Sequence, residues 1–386
     1  MNNAQFNPPL SSPETRTAAE GWAARPAEDS RSTMIASKQS IDDLLKATSR
    51  SFYLTLRVLP ARVRPQIGLA YLLARTTDTI ADTEILPLDQ RLDALQKLRE
   101  RVLAQNSGIQ NGGQSSAPLN FGEFAKQQGS ASEKLLLERV EDSLSALQHF
   151  SADDQKLIRD VLQTITSGQE LDLRRFAKAS MEHTYALETE IELDDYIYRV
   201  AGCVGEFWTK ICRAHLFPNA PLDEKQLIAD GIRFGKGLQL VNILRDLPAD
   251  LEKGRCYLPI DKLELVDLLP QTLLSTASQA KLLPLYHRYL DQAESHLLAG
   301  WNYTNALPFS QLRVRLACAW PILIGAKTIG KLRTANVDQL QQRVKVSRSE
   351  VRGMIACSVL AYPFPFLWRQ LFSPTVKAVA SNGNLA

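Results

Sequence analysis

Asp78 and Asp82 stand four residues apart within residues 71–83, YLLARTTDTIADT. On a helix that spacing puts both carboxylates on one face, one turn apart, with Tyr71 and Arg75 on nearly the same face. Leu72, Leu73, Ala74 and Ile80 flank them, which points to a largely buried helix. Two unpaired carboxylates there would repel each other, and burial would penalise both charges. Arg75 can neutralise one. A hard divalent cation satisfies both, since Mg²⁺ takes carboxylate oxygens together with the phosphate oxygens of a substrate. Taken alone, the pair reads more readily as a solvated acidic face, because acidic side chains are mostly exposed.

A second stretch, residues 237–259, changes that reading. Gln239, Asn242, Asp246 and Asp250 recur at intervals of three, four and four, with Leu238, Val241 and Leu244 behind them. They share one face if the helix continues past Pro248. Arg245, Lys253 and Arg255 add positive charge. Facing each other, the two stretches would form a socket for Mg²⁺ ions bridging to a diphosphate, which cations and arginines together stabilise as a leaving group. The other common phosphate devices are missing: there is no G-x-x-x-x-G-K-[ST], and the run GKGLQL at residues 235–240 is not a dinucleotide fingerprint. A diphosphate that departs inside an apolar bundle points to allylic, isoprenoid chemistry. Its carbocation needs a dry cavity and is stabilised by aromatic faces. Phe52, Tyr53, Tyr196, Tyr198, Phe207, Phe234 and Trp320 are the candidates, each equally readable as plain core.

The elements that must position these residues read as helix after helix. Helical spacing covers residues 41–48, 61–83, 88–104, 132–150, 153–169, 194–215, 223–247, 275–300, 311–334 and 347–362. Pro248 should end or kink its helix, and Pro284 and Pro321 should kink theirs. Strand signals are poor and no fixed repeat is present, so the expectation is a single all-α domain of roughly ten helices over residues 37–373. Residues 1–36 and 374–386 read as disordered tails, and residues 105–118, QNSGIQNGGQSSAP, as a flexible insertion.

Composition narrows the function classes. The 386 residues carry 45 Lys and Arg against 42 Asp and Glu, too balanced for a general nucleic-acid binder. Five scattered Cys without C-x-x-C, and five separated His without H-x-x-x-H, argue against a disulfide scaffold and a zinc site. They suit a reducing, cytoplasmic compartment. No apolar run is long enough to span a bilayer. Residues 354–368, MIACSVLAYPFPFLW, carry no charge, lie between Arg352 and Arg369, and read either as the last core helix or as a segment that touches a membrane surface.

At the two acidic stretches the chain resembles the squalene and phytoene synthase family, which joins two prenyl diphosphates head to head. The match covers nearly all of residues 45–370. S-R-S-F stands at residues 49–52, and the first Asp motif at Tyr71, Arg75, Asp78 and Asp82. Y-x-x-x-V-A-G-x-V-G runs from Tyr196 to Gly205, and Q-x-x-N-I-x-R-D-x-x-x-D-x-x-x-x-R-x-Y-x-P runs from Gln239 to Pro259. D-D-x-x-D and N-S-E motifs of chain-elongating prenyltransferases and terpene cyclases are not in register. The resemblance implies an isoprenoid synthase fold with a central hydrophobic channel and Mg²⁺, or Mn²⁺ in its place, at the mouth.

By the same resemblance, Asp78, Asp82, Asn242, Asp246 and Asp250 would hold metal. Arg50, Arg75, Arg245 and Arg255 would hold phosphate oxygens, with Tyr71 and Gln239 beside the substrate and Ser51 and Phe52 at the pocket entrance. Tyr196 would assist proton removal, with Tyr198 as its rival. Ala81 replaces an acidic residue present in some squalene synthases, so metal ligation would rely on fewer carboxylates. Thr79 and residues 344–346 resemble squalene synthase positions, the latter near a nicotinamide flap. The resemblance thus implies NADPH, with Lys345 and Arg348 binding it, and conversion of farnesyl diphosphate through presqualene diphosphate to squalene. The alternatives are phytoene or dehydrosqualene synthesis without hydride transfer, and a non-catalytic prenyl-binding subunit. Prenyl diphosphates are the expected partners of a chain taken as a monomer, with peripheral membrane contact and no nucleic acid.

Overall fold

The computed structural model describes residues 42–48, 52–104, 118–336, 339–340 and 344–373. The proposed tails, Arg50, Ser51 and most of the 105–118 insertion lie outside them. Among the described residues the protein is all-α, with one two-residue parallel strand pair. Helices α1 (42–48) and α2 (Phe52–Val58) lead into α3 (Arg64–Ala81) and α4 (Leu88–Leu103). Three short helices, α5 (Gly122–Lys126), α6 (Ala131–Glu138) and α7 (Val140–Leu147), precede α8 (Ala152–Arg175). Then follow α9 (Glu190–Ile197), α10 (Cys203–Leu216), α11 (Glu224–Glu252), α12 (Ile260–Glu264), α13 (Gln279–Ala306), α14 (Leu312–Arg333), α15 (Arg348–Ala361) and α16 (Pro365–Gln370).

Two large apolar clusters hold the bundle. One joins α3, α4, α7 and α8 through Leu69, Leu72, Leu73, Leu95, Leu98, Leu144 and Ile158. The other joins α11, α13 and α14 through Leu240, Leu244, Tyr286, Leu290, Leu297 and Ile322. Each such fully buried side chain contributes about 1.5–3 kcal/mol. Where α10 crosses α11, a Cβ on Gly205 would stand 1.8 Å from the carbonyl oxygen of Gly231, so the backbones can touch only because both positions are glycine.

Several elements differ from the pattern read in sequence. Residues 132–150 split into α6 and α7 at Arg139. Residues 194–215 do not form one regular helix: between α9 and α10 lies a π-helical turn, Tyr198–Gly202. Such a turn widens the helix by one residue and recurs beside functional sites. Pro248 does not end its helix, for α11 runs on through Glu252. A proline leaves the carbonyl four residues earlier without its N–H donor. Here that carbonyl is Leu244 O, and the hydroxyl of Tyr286 on α13 donates to it at 2.8 Å. Pro284 and Pro321 likewise lie inside α13 and α14, which are unbroken. The strand pair, Tyr185–Ala186 with Arg255–Cys256, follows Gly254, whose φ of +72° and close approach to Ser180 O exclude a side chain. It anchors the chain just beyond α11 and so fixes Arg255 and Tyr257.

Candidate active site

The first acidic pair ends α3. Asp78 lies in its last turn, and Asp82 caps the helix with its N–H bonded to Asp78 O. The second pair, Asp246 and Asp250, lies in the last two turns of α11. Helix C-termini carry partial negative charge, so four carboxylates placed there call for cations. The two ends are clamped together: Glu84, just past α3, pairs with Lys253 at 3.0 Å and Arg255 at 2.8 Å. Lys253 and Arg255 also act electrostatically on Asp82.

Burial and mutual repulsion dominate the site. The Asp78 carboxyl is pushed up to about 7 by desolvation and by Asp82. Asp250 rises to about 7 through desolvation and Asp246. Asp78 keeps 48% of its side-chain surface, but that surface faces a mostly apolar cavity, so desolvation still acts on it. Gln169 of α8 donates to Asp78, while Arg75 lies 3.8 Å from it and bonds more tightly to Glu133. Arg245 pairs with the neighbouring Asp246.

A fifth carboxylate completes the mouth. Asp172, one turn beyond Gln169 on α8, accepts a 2.9 Å hydrogen bond from the Tyr257 hydroxyl. It is raised to about 6 by desolvation, and it interacts electrostatically with Arg255, Arg175 and Asp82. Its other oxygen is buried without a hydrogen-bond partner. Sequence reasoning missed Asp172, Glu84 and Glu133. Asp172 had one visible signal: with Gln169 it makes an i, i+3 polar pair on a helix.

Among the described residues, no group of three His, Cys, Asp or Glu forms a ready-made metal cage. The donor set nevertheless fits Mg²⁺, which binds through one or two carboxylates and completes its shell with water and substrate phosphate. Negative helix ends, carboxyls raised toward neutrality and the unpartnered Asp172 oxygen all mark a place short of positive charge.

Behind the mouth lies an apolar cavity of about 350 Å³. Asp78, Gln239 and Asn242 rim it, and Tyr71, Ala74, Val200, Val204, Phe207, Phe234 and Leu238 wall it. The lining runs from Asp78 back to Ile67 on α3 and from Asn242 back to Gly231 on α11. Eleven residues at 1.5 Å each give a depth of about 16 Å on both helices. The lining residues farthest from the acidic mouth, Ile67, Val161, Trp208, Gly231, Tyr303 and Cys318, make the floor. A second cavity of about 560 Å³ shares Thr55, Leu238, Asn242 and Pro321 with the first. It continues past Arg245 and Trp320 to Val344, Lys345 and Val346.

The structure brings most of the predicted residues together and sets others aside. Tyr196 is buried, stacked on Tyr257 at 4.8 Å, and senses Asp172, Asp250 and Asp78. Tyr198 instead bonds Glu206 at 3.3 Å and lies under Lys236, away from the carboxylates. Desolvation raises the Tyr196 phenol well above its usual range, so it stays protonated. Thr79 bonds back to Arg75 O and is buried, so it does not reach the cavity. Lys345 lines the second cavity, whereas Arg348 is exposed on the first turn of α15 and does not line it. Arg50, Ser51 and the side chains of Phe52 and Tyr53 lie outside the description.

The squalene/phytoene synthase family model matches residues 45–350. The chain belongs to that family. Its members are prenyltransferase-like enzymes of isoprenoid biosynthesis. Among named relatives, a bifunctional lycopene cyclase/phytoene synthase of Gibberella fujikuroi is 28% identical over 255 residues, 65% of this chain and 40% of that protein. A presqualene diphosphate synthase of Rhodopseudomonas palustris is 28% identical over 262 residues, 68% of this chain and 77% of the other. A squalene synthase of Saccharomyces cerevisiae is 26% identical over 220 residues, 56% and 44% of the two chains. The chain thus spans about two fifths of the length of the first of these relatives. A solved structure of TcSQS with the ligand E5700 superposes with a TM-score of 0.67 at 22% identity, over 87% of this chain and 90% of that one. The all-α isoprenoid synthase fold is therefore shared.

Proposed function

We propose that this family member joins two farnesyl diphosphates head to head through presqualene diphosphate and, with a hydride from NADPH, releases squalene. The observation that carries this reading is an apolar cavity about 16 Å deep with Asp78 and Asn242, one from each acidic motif, at its rim. With carbon–carbon bonds of about 1.5 Å, the twelve-carbon main chain of a farnesyl group extends about 14 Å. The sixteen-carbon chain of geranylgeranyl needs about 19 Å on the same basis. Asp78, Asp82, Asn242, Asp246 and Asp250 would hold Mg²⁺, which neutralises the departing diphosphate. Arg75, Arg245 and Arg255 orient its oxygens. The walls keep water from the carbocation, and Tyr71, Phe207 and Phe234 offer it aromatic faces. Tyr196, held as a phenol, relays rather than accepts the proton. It is hydrogen-bonded to Tyr257, which donates to Asp172, a carboxyl near 6 that can take the proton up.

Phytoene-type synthesis without hydride transfer is the second reading, favoured by the likeness to the Gibberella fujikuroi protein. For NADPH, the support is the second cavity with Lys345 in its wall. Mass analysis of the product from farnesyl and from geranylgeranyl diphosphate, each with and without NADPH, separates the readings. Squalene from farnesyl diphosphate with nicotinamide oxidation is the expected result. Product only from geranylgeranyl diphosphate, or no oxidation, hands the case to phytoene-type synthesis. No diphosphate release at all would make the chain a non-catalytic prenyl-binding subunit.

A hydrocarbon product must leave into lipid, and the α15–α16 turn suits that exit. No described helix is long and apolar enough to cross a membrane. Yet Leu360 is 73% exposed and Phe366 71%, beside exposed Phe364 and Leu367, with Phe309 stacked on Tyr362 next to them. From residue 295 to 386 the chain has eleven Lys and Arg but only Asp338 and Glu350. Exposed apolar side chains in a stretch of sequence rich in Lys and Arg fit an anionic bilayer interface. Flotation should recover the protein on vesicles containing phosphatidylserine and not on pure phosphatidylcholine. Phe364→Ser with Phe366→Ser should abolish it. A protein that never floats, or one whose double variant merely stops self-associating, would show that the patch is not a membrane face.

A further inference from the structure

We infer that Tyr286 is a positioning residue for the second acidic motif. It supplies from α13 the hydrogen bond that Pro248 removes from α11. Pro248 falls between Asp246 and Asp250, inside the turn whose regularity decides whether the two carboxylates share a face. Without a donor, Leu244 O would be a buried orphan carbonyl, and the turn could relax by unwinding. The Tyr286 hydroxyl fills that place at 2.8 Å. Its side chain is fully buried on the helix that packs most extensively against α11, so it has one geometry and no competing water. Burial raises its phenol well above the usual tyrosine range, which keeps the proton on the donor at any working pH. The bond comes from a residue that touches neither cavity, so its effect on the site runs only through the backbone of α11.

This inference rests on the reading that Asp246 and Asp250 hold metal and diphosphate, and its test separates the two. The full chain is compared as wild type, Tyr286→Phe, Pro248→Ala and the double variant. One readout is amide exchange over residues 245–253; the other is binding of inorganic pyrophosphate in the presence of Mg²⁺. Tyr286→Phe should speed exchange in that segment and weaken pyrophosphate binding about tenfold. An alanine in place of Pro248 brings back the missing N–H, so adding Pro248→Ala to Tyr286→Phe should restore both within about twofold. A merely structural tyrosine would lower global stability without that rescue. Unchanged exchange in Tyr286→Phe, or no rescue by Pro248→Ala, overturns the inference. A wild type that fails to bind pyrophosphate with Mg²⁺ overturns the metal reading instead, and the exchange pattern still decides whether Tyr286 holds the turn.

Discussion

Asp246→Asn should lower turnover of farnesyl diphosphate by about a thousandfold or more while leaving the helical fold intact. The carboxylate sits on the last two turns of α11, paired with Arg245 and coupled to Asp250. Asn keeps the size and shape of the half-buried Asp side chain and removes only its charge. Losing one anionic ligand weakens the stabilisation of the leaving diphosphate by several kcal/mol, and each 1.36 kcal/mol is a decade in rate. Asp82→Asn should behave alike from the α3 side, because both helix ends face the same place. The check is steady-state diphosphate release against Mg²⁺ concentration, with circular dichroism as the fold control. Near-normal turnover of either variant at saturating Mg²⁺ would remove these residues from the metal site.

The same carboxylates give the site a pH sign. Asp78 and Asp250 have pKa values near 7 in the folded protein, above the ordinary carboxyl value near 4 of an unfolded chain. Between those values the folded state binds more protons than the unfolded one. The contribution of these groups to stability is therefore present at low pH and lost as pH rises toward 7. Mg²⁺ works in the opposite direction: it needs the deprotonated forms and displaces their protons. Stabilisation by Mg²⁺ with pyrophosphate should accordingly grow from pH 6 to pH 8.

How much of this could be read from the chain depends on whether a feature lies along one helix or across several. Asp78 with Asp82, and Gln239 with Asn242, Asp246 and Asp250, lie on single helices, so the 3.6-residue period exposed them. Asp172 belongs to a third helix and makes its contacts through Tyr257 and Arg255, more than eighty residues away. Nothing in a linear pattern joins them. Glu84 was invisible as a clamp for the same reason. Pro248 pointed to a helix end because the sequence cannot show that Tyr286 will lend a hydroxyl. The π turn at Tyr198–Gly202 adds one residue to a helix without any residue type that demands it. Tyr196 stacks on Tyr257 near the carboxylates, while Tyr198, two residues on, points the other way to Glu206.

The floor of the cavity is where substrate length should be decided, and Trp208 is its largest residue. It lies midway along α10, against Cys318 of α14, with Tyr303 of α13 in the same lining. A prenyl chain that enters between Asp78 and Asn242 meets the indole after about 16 Å, enough for the farnesyl chain and short for geranylgeranyl. A pocket that lacks room for one more isoprene unit must bend the chain or leave it in water. Discrimination by a few methylenes is worth about 1–3 kcal/mol, or 10–200-fold. Trp208→Ala should therefore raise the ratio of kcat/KM for geranylgeranyl over farnesyl diphosphate by about tenfold or more. Trp208→Phe, which shortens the wall less, should fall between. Competition between the two substrates, read by product mass, measures that ratio within one sample and does not depend on how much protein is folded. A ratio that stays at the wild-type value in both variants would mean that the floor does not measure the chain, and that length is set nearer the mouth.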